Sequence, residues 1–109
     1  MLIDHAVDIL AAHGTELDVP VLLAALTTAA EAGEWCAAET PARGLGRLGV
    51  AEAVPTLRFL WAETTHSYAR ADYLAGLTGA AAPAVAAEYL DEATDDCEPH
   101  VRDLATGVE

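Results

Sequence analysis

Three times along this chain of 109 residues a glycine is followed closely by a proline: Gly14 and Pro20, Gly49 and Pro55, Gly79 and Pro83. Just past the last apolar residue of a helix, the left-handed C-cap position favours glycine. In the first turn of a helix, the missing N–H of proline costs little. Each pair therefore reads as the end of one helix, a tight turn and the start of another. The clearest case is Leu45-Gly-Arg-Leu-Gly49-Val-Ala-Glu-Ala-Val-Pro55-Thr-Leu-Arg-Phe-Leu60. Leu45 and Leu48 before the turn, and Val54, Leu57 and Trp61 after it, follow helical spacing. Such a hairpin cannot bury its apolar face alone and needs similar neighbours on either side.

The chain supplies them. A first helix is predicted over Asp4–His13, with Ile3, Ala6, Ile9 or Leu10, and His13 on one side, ending at Gly14. Thr15–Asp18 is a turn with Asp18 as a candidate N-cap. The second helix carries Val19, Leu22 or Leu23, Leu26 and Ala30, and closes at Gly33. The third, from about Glu34 to Leu48, has Trp35, Ala38, Ala42, Leu45 and Gly49 on its inner line. Pro41 either kinks it or starts it with Thr40 as cap. The fourth spans about Ala51–Glu63 and breaks at Thr64-Thr65. The fifth runs from about His66 to Thr78 with Tyr73, Leu74 and Leu77 inside, closing at Gly79. The sixth, about Ala82–Ala93, buries Val85, Tyr89 and Leu90. The last, Glu98–Val108, begins after Asp95-Asp96, with Cys97, Val101, Leu104 and Val108 on one face. Leu74-Ala-Gly-Leu77 repeats Leu45-Gly-Arg-Leu48 at a shift of twenty-nine residues, and Pro20, Pro55 and Pro83 are thirty-five and twenty-eight apart. Recurrence at this period marks stacked helical units.

The length suits one domain covering 1–109. Hydrophobic residues make up 53% of the chain but aromatics only 6%, and twenty-five residues are alanine. The core must therefore be built from small side chains on closely packed helices. Five basic residues, all arginine, stand against eighteen acidic ones, for a formal charge of -13. That balance argues against nucleic acid or an anionic membrane as partner. The charge is uneven. Met1–Ala42 holds seven acids and no base, Arg43–Arg70 holds four arginines against Glu52 and Glu63, and Glu88–Glu109 holds eight acids against Arg102. Asp4 and Asp8 interrupt the N-terminal apolar residues, no basic segment precedes them, and no apolar run reaches membrane-spanning length. A cytoplasmic chain is expected, with Cys36 and Cys97 reduced and serving as small structural hydrophobes.

The segments Ala42–Leu57 and His100-Val-Arg-Asp-Leu-Ala105 resemble HEAT repeats, of the short bacterial kind found in phycobilisome-lyase-like proteins. The resemblance covers most of the chain and is strongest from Arg43 onward. It implies an all-α, right-handed superhelical solenoid of about three hairpins plus a C-terminal helix. The repeat spacing is irregular, and the final helix lacks a partner. The lyase relatives also imply an alternative, an enzyme or a bilin-type cofactor handler using a cysteine or a carboxylate.

Reactive constellations read more simply as structure. His5 and His13 share a helix face near Asp8, but no His-x-x-x-His pair or third ligand converges on them. His13 beside Gly14 suits a favourable charge at a helix C-terminus. In Asp95-Asp96-Cys97-Glu98-Pro-His100, an aspartate caps the last helix and Glu98 complements its dipole, while nothing identifies an oxyanion hole for a Cys97–His100 pair. Schiff-base chemistry is excluded by the absence of lysine, and Gly44, Gly46 and Gly49 end a helix rather than cradle phosphate. No metal or cofactor is expected. Arg43, Arg70 and Arg102 lie on first helices of successive units, where Asp72 and Asp103 are candidates for a ladder of ion pairs.

The surface line of the fourth helix, opposite Val54, Leu57 and Trp61, is Glu52, Thr56, Phe59 and Glu63. On the sixth helix the polar line is Ala84, Glu88, Asp91 and Asp95. The resemblance implies that second helices line the concave, partner-binding side of the solenoid. An aromatic ringed by charge fits a protein-binding anchor, although Phe59 packed under the first hairpin fits the spacing equally. The expected function is a small non-enzymatic module that binds a basic protein partner through Glu52, Phe59, Glu63, Glu88, Asp91 and Asp95.

Overall fold

The computed structural model describes residues 2–65, 69–94, 96 and 99–106. It is all-α. Seven helices follow one another among the described residues: α1 (Leu2–His13), α2 (Val19–Ala32), α3 (Trp35–Arg47), α4 (Val54–Glu63), α5 (Ala69–Ala80), α6 (Pro83–Ala93) and α7 (Pro99–Thr106). Short 3-10 turns over Glu16–Asp18 and Ala51–Ala53 lead into α2 and α4. None of these helices is long and apolar enough to cross a membrane.

The turns follow local chemistry. Gly33 and Gly49 both adopt φ 68°, the left-handed conformation that only glycine enters without strain. After each, the backbone N–H of Glu34 and of Val50 reaches back to the carbonyl of Ala29 (2.9 Å) and of Leu45 (3.0 Å), satisfying the helix end. Thr15 and Asp18 form a reciprocal capping box around the 3-10 turn: Leu17 N–H donates to Thr15 Oγ1 and Thr15 N–H to Asp18 Oδ2. Asp18 therefore serves the turn and makes no side-chain cap on α2. Pro20, Pro55 and Pro83 all fall in first turns, as expected.

The core centres on α3 and α5. Leu22, Leu26, Leu45, Leu57, Leu60, Tyr73, Leu74 and Leu77 are fully buried, and Trp61 nearly so. Tyr73 donates its hydroxyl to the carbonyl of Trp35 at 2.6 Å, tying α5 to the start of α3. Burial drives the Tyr73 phenol far above its ordinary range. Between α3 and α5 the backbones touch. A Cβ built on Gly46 would meet Gly76 Cα at 2.7 Å, and one built on Gly79 would meet the Gly46 carbonyl oxygen at 2.1 Å. Gly79 is thus a packing glycine inside α5, not the turn residue expected from its place before Pro83; the helix continues to Ala80.

Helices two apart in sequence pack side by side: α1 on α3, α3 on α5, α5 on α7, and α2 on α4. Contacts between α3 and α5 advance together along the two helices, from Arg43 with Asp72 to Gly46 with Gly76 and Gly79, so the two run parallel. Bonds from α4 to α6 keep a constant offset of 31 residues, Arg58 to Tyr89 and Trp61 to Glu92, which again means parallel axes.

Several expectations are corrected. Ile9 is exposed on α1 while Ala11 is buried, so the inner face of that helix is turned from the one the apolar spacing suggested. His13 stands in the last turn of α1, as expected, and a second cation joins it: Arg47 donates to Ala11 O (2.9 Å) and Gly14 O (2.7 Å). Pro41 is buried within an unbroken α3, so Thr40 does not cap a new helix there. On α6, Ala86 and Ala93 are buried and Val85, Tyr89 and Leu90 only partly so, while Leu104 on α7 is exposed. Cys36 is exposed at the start of α3 and is not the buried hydrophobe expected. Cys97 and the His100 side chain lie outside the described residues.

Candidate functional site

Pro55 sets the first turn of α4, and Leu57, Leu60 and Trp61 turn inward because they are its large apolar residues on one side. At about 100° per residue, Phe59 is carried away from that side. The residue is 48% exposed. Glu52 and Glu63, which share its line, are exposed, and Thr56 is partly covered. Phe59 is therefore about half covered and half open to solvent. On α6, Glu88 and Asp91 are exposed. Asp95 lies outside the described residues.

A polar seam joins the two helices, and sequence spacing alone does not reveal it. The Trp61 indole meets the Tyr89 ring edge to face, with centroids 6.1 Å apart and planes at 85°. Its Nε1–H donates to Glu92 Oε1 at 3.0 Å, and Arg58 Nε–H donates to the Tyr89 hydroxyl at 2.8 Å. Trp61 and Arg58 point at α6, whereas Phe59 lies about a hundred degrees further round. The Arg58–Tyr89 bridge consequently stands between the Glu52–Phe59–Glu63 line and the Glu88–Asp91 line. The signal that could have found it is the shared 31-residue offset of Arg58/Tyr89 and Trp61/Glu92, close to the repeat length.

Beneath the seam, the Arg70 guanidinium lies over the Trp61 ring at 3.8 Å and donates Nη1–H to the Trp61 carbonyl at 2.8 Å. It also binds Asp96 Oδ2 through Nε (2.8 Å) and Nη2 (2.7 Å). The geometry holds Trp61 by a stacked cation on one side and a T-shaped ring on another. Of the expected ladder, Arg43 pairs with Asp72 at 2.9 Å. Arg70 takes Asp96, from the segment before α7. Burial pushes the Asp72 carboxyl above its ordinary 3.8; Arg43 opposes the shift and Glu39 adds to it. The ion pair does not win because Arg43 is mostly exposed, so water screens its attraction.

The chain matches no family model, no curated protein and no solved structure.

Proposed function

We propose that this chain is a HEAT-like helical module that binds a basic protein partner without catalysis, through its acidic second helices. The observation that carries the reading is Phe59, half exposed on α4 with exposed Glu52 and Glu63 on the same line. A large aromatic kept in water by a fold that buries Leu57, Leu60 and Trp61 beside it fits an anchor that becomes desolvated in a complex. The surrounding carboxylates, with a chain charge of -13, steer a cationic partner toward it. Supporting the repeat assignment are the parallel packing of alternate helices and the contact offset of 31 residues, inside the range set by the prolines. Glu88 and Asp91 extend the acidic surface beyond the Arg58–Tyr89 bridge.

The test is affinity capture from a lysate of the source cells at low salt, read by mass spectrometry. Wild type is expected to retain one or more basic proteins that a folded Phe59→Ala variant releases early in the wash. Identical retention by wild type and variant would overturn the assignment of the surface.

A further inference from the structure

Away from that surface, α1, α2 and α3 border an open hollow of about 680 Å³, most of whose lining residues are exposed. Its walls include Val7, Val21, Ala25 and Ala37, and its polar groups include Asp8 and Glu34. The hollow exists because alanines face one another where larger side chains would meet. Ala11 of α1 lies against Gly44 of α3 at backbone distance. Val21 is half exposed at its edge. An apolar concavity of this size, with a few polar groups, has the character of a small-molecule site rather than of packing left incomplete.

Charge narrows the occupant. No basic residue is among the described residues that line the hollow. Asp8 and Glu34 are exposed and make no ion pair or side-chain hydrogen bond among the described residues. Arg43 and Arg47 approach Asp8 from a neighbouring hollow. Both are engaged elsewhere, Arg43 with Asp72 and Arg47 with the carbonyls that end α1. Among the described residues that line the hollow, an anion would meet two carboxylates and no counter-charge. A purely apolar ligand would leave both carboxylates without use. We infer that the hollow binds a small organic cation with an apolar body, its alkyl or aryl part against Val7, Val21, Ala25 and Ala37 and its ammonium group between Asp8 and Glu34. This site is separate from the Phe59 surface and does not depend on the protein-binding reading.

The test is isothermal titration calorimetry of the full chain with an n-alkylammonium series, hexyl to decyl, kept below micelle formation. Saturable binding to one site is expected, tightening roughly fourfold for each methylene that enters the hollow. Decanoate is expected not to bind. Asp8→Asn/Glu34→Gln should weaken decylammonium roughly three- to tenfold, and added salt should weaken it in wild type but less in that variant. Ala37→Phe, at an exposed position that tolerates a larger side chain, should fill the hollow and abolish binding while the circular dichroism spectrum stays helical. Decanoate binding as tightly as decylammonium would overturn the inference. So would an affinity indifferent to tail length, unchanged binding in both variants, or binding of a basic amphipathic peptide where decylammonium shows none.

Discussion

Replacing Gly79 with alanine sets two effects of opposite sign against each other. In an ordinary helix interior the change stabilises, by about 0.5–1 kcal/mol, because glycine loses more backbone entropy on folding. At Gly79 the added Cβ falls 2.1 Å from the Gly46 carbonyl oxygen and 2.6 Å from its carbon. These are backbone atoms of the facing helix, so no side chain can swing aside. The helices must part by more than 1 Å before the contact becomes ordinary. A gap of that size forfeits a quarter to a half of each dispersion contact across the seam. Leu45, Tyr73, Leu74 and Leu77 are all buried around it. Overpacking of this kind costs about 1–3 kcal/mol or more, so the net expectation for Gly79→Ala is a loss of roughly 2 kcal/mol. With a urea slope of about 1–3 kcal/mol/M for a domain of this size, the midpoint should fall by about 1 M. Thr78→Ala, exposed on the same helix, should stay within about 0.5 kcal/mol of wild type. Urea melts of the two variants beside wild type decide the matter. A Gly79→Ala protein as stable as wild type would refute the close approach of α3 and α5.

Three further outcomes are expected. Leu57→Ala empties a fully buried position between α4 and α5 and should cost roughly 2–5 kcal/mol in denaturant melts; a change under half a kcal/mol would put Leu57 on the surface. Arg70→Leu strips the cation from an Asp96 carboxylate only 7% exposed and should cost roughly 2–3 kcal/mol, with Arg70→Leu/Asp96→Leu recovering part of it; a double variant worse than the sum of the two singles would count against the pairing. For Asp72, whose folded pKa lies above 3.8, the native state binds the proton more tightly than the unfolded chain. Its contribution is therefore largest at low pH and declines as pH rises from about 3.8 through the folded value. Asp72→Asn should remove that decline from a series of thermal melts, and an unchanged pH slope would contradict the burial of the carboxyl.

What could be read from the sequence follows from how sharply each residue type constrains its surroundings. Gly33 and Gly49 were legible as turns because a left-handed residue after a helix is nearly always glycine. Gly79 was not, since a glycine that lets two backbones touch looks the same in sequence as one that ends a helix. The faces of α2, α4 and α5 were readable because a few leucines at helical spacing stand out there against smaller or polar residues. On α1 and α6 alanine sits on both sides, so the spacing carried little contrast, and of the two residues expected inside, Leu10 packs on the core while Ile9 is exposed. Arg43 and Asp72 were matched through the repeat, whereas Asp96 belongs to a segment whose position no period specifies. Phe59 could be placed on a surface line, but Arg58 as the bridge to Tyr89 needed the relative height of α4 and α6. The hollow beside α1 is made by side chains that are small, and small side chains leave no pattern.

The most direct measurement of the central claim is binding kinetics with the captured partner, for wild type, Phe59→Ala, Glu88→Lys/Asp91→Lys and the Phe59→Ala/Glu88→Lys combination, each confirmed helical. Charge reversal on α6 should slow association at low salt and make it less sensitive to added salt. Phe59→Ala should leave association nearly unchanged and speed dissociation, for a loss of about 2 kcal/mol, roughly thirtyfold in affinity. A folded Phe59→Ala/Glu88→Lys protein that binds the partner as tightly as wild type at low salt would contradict the claim.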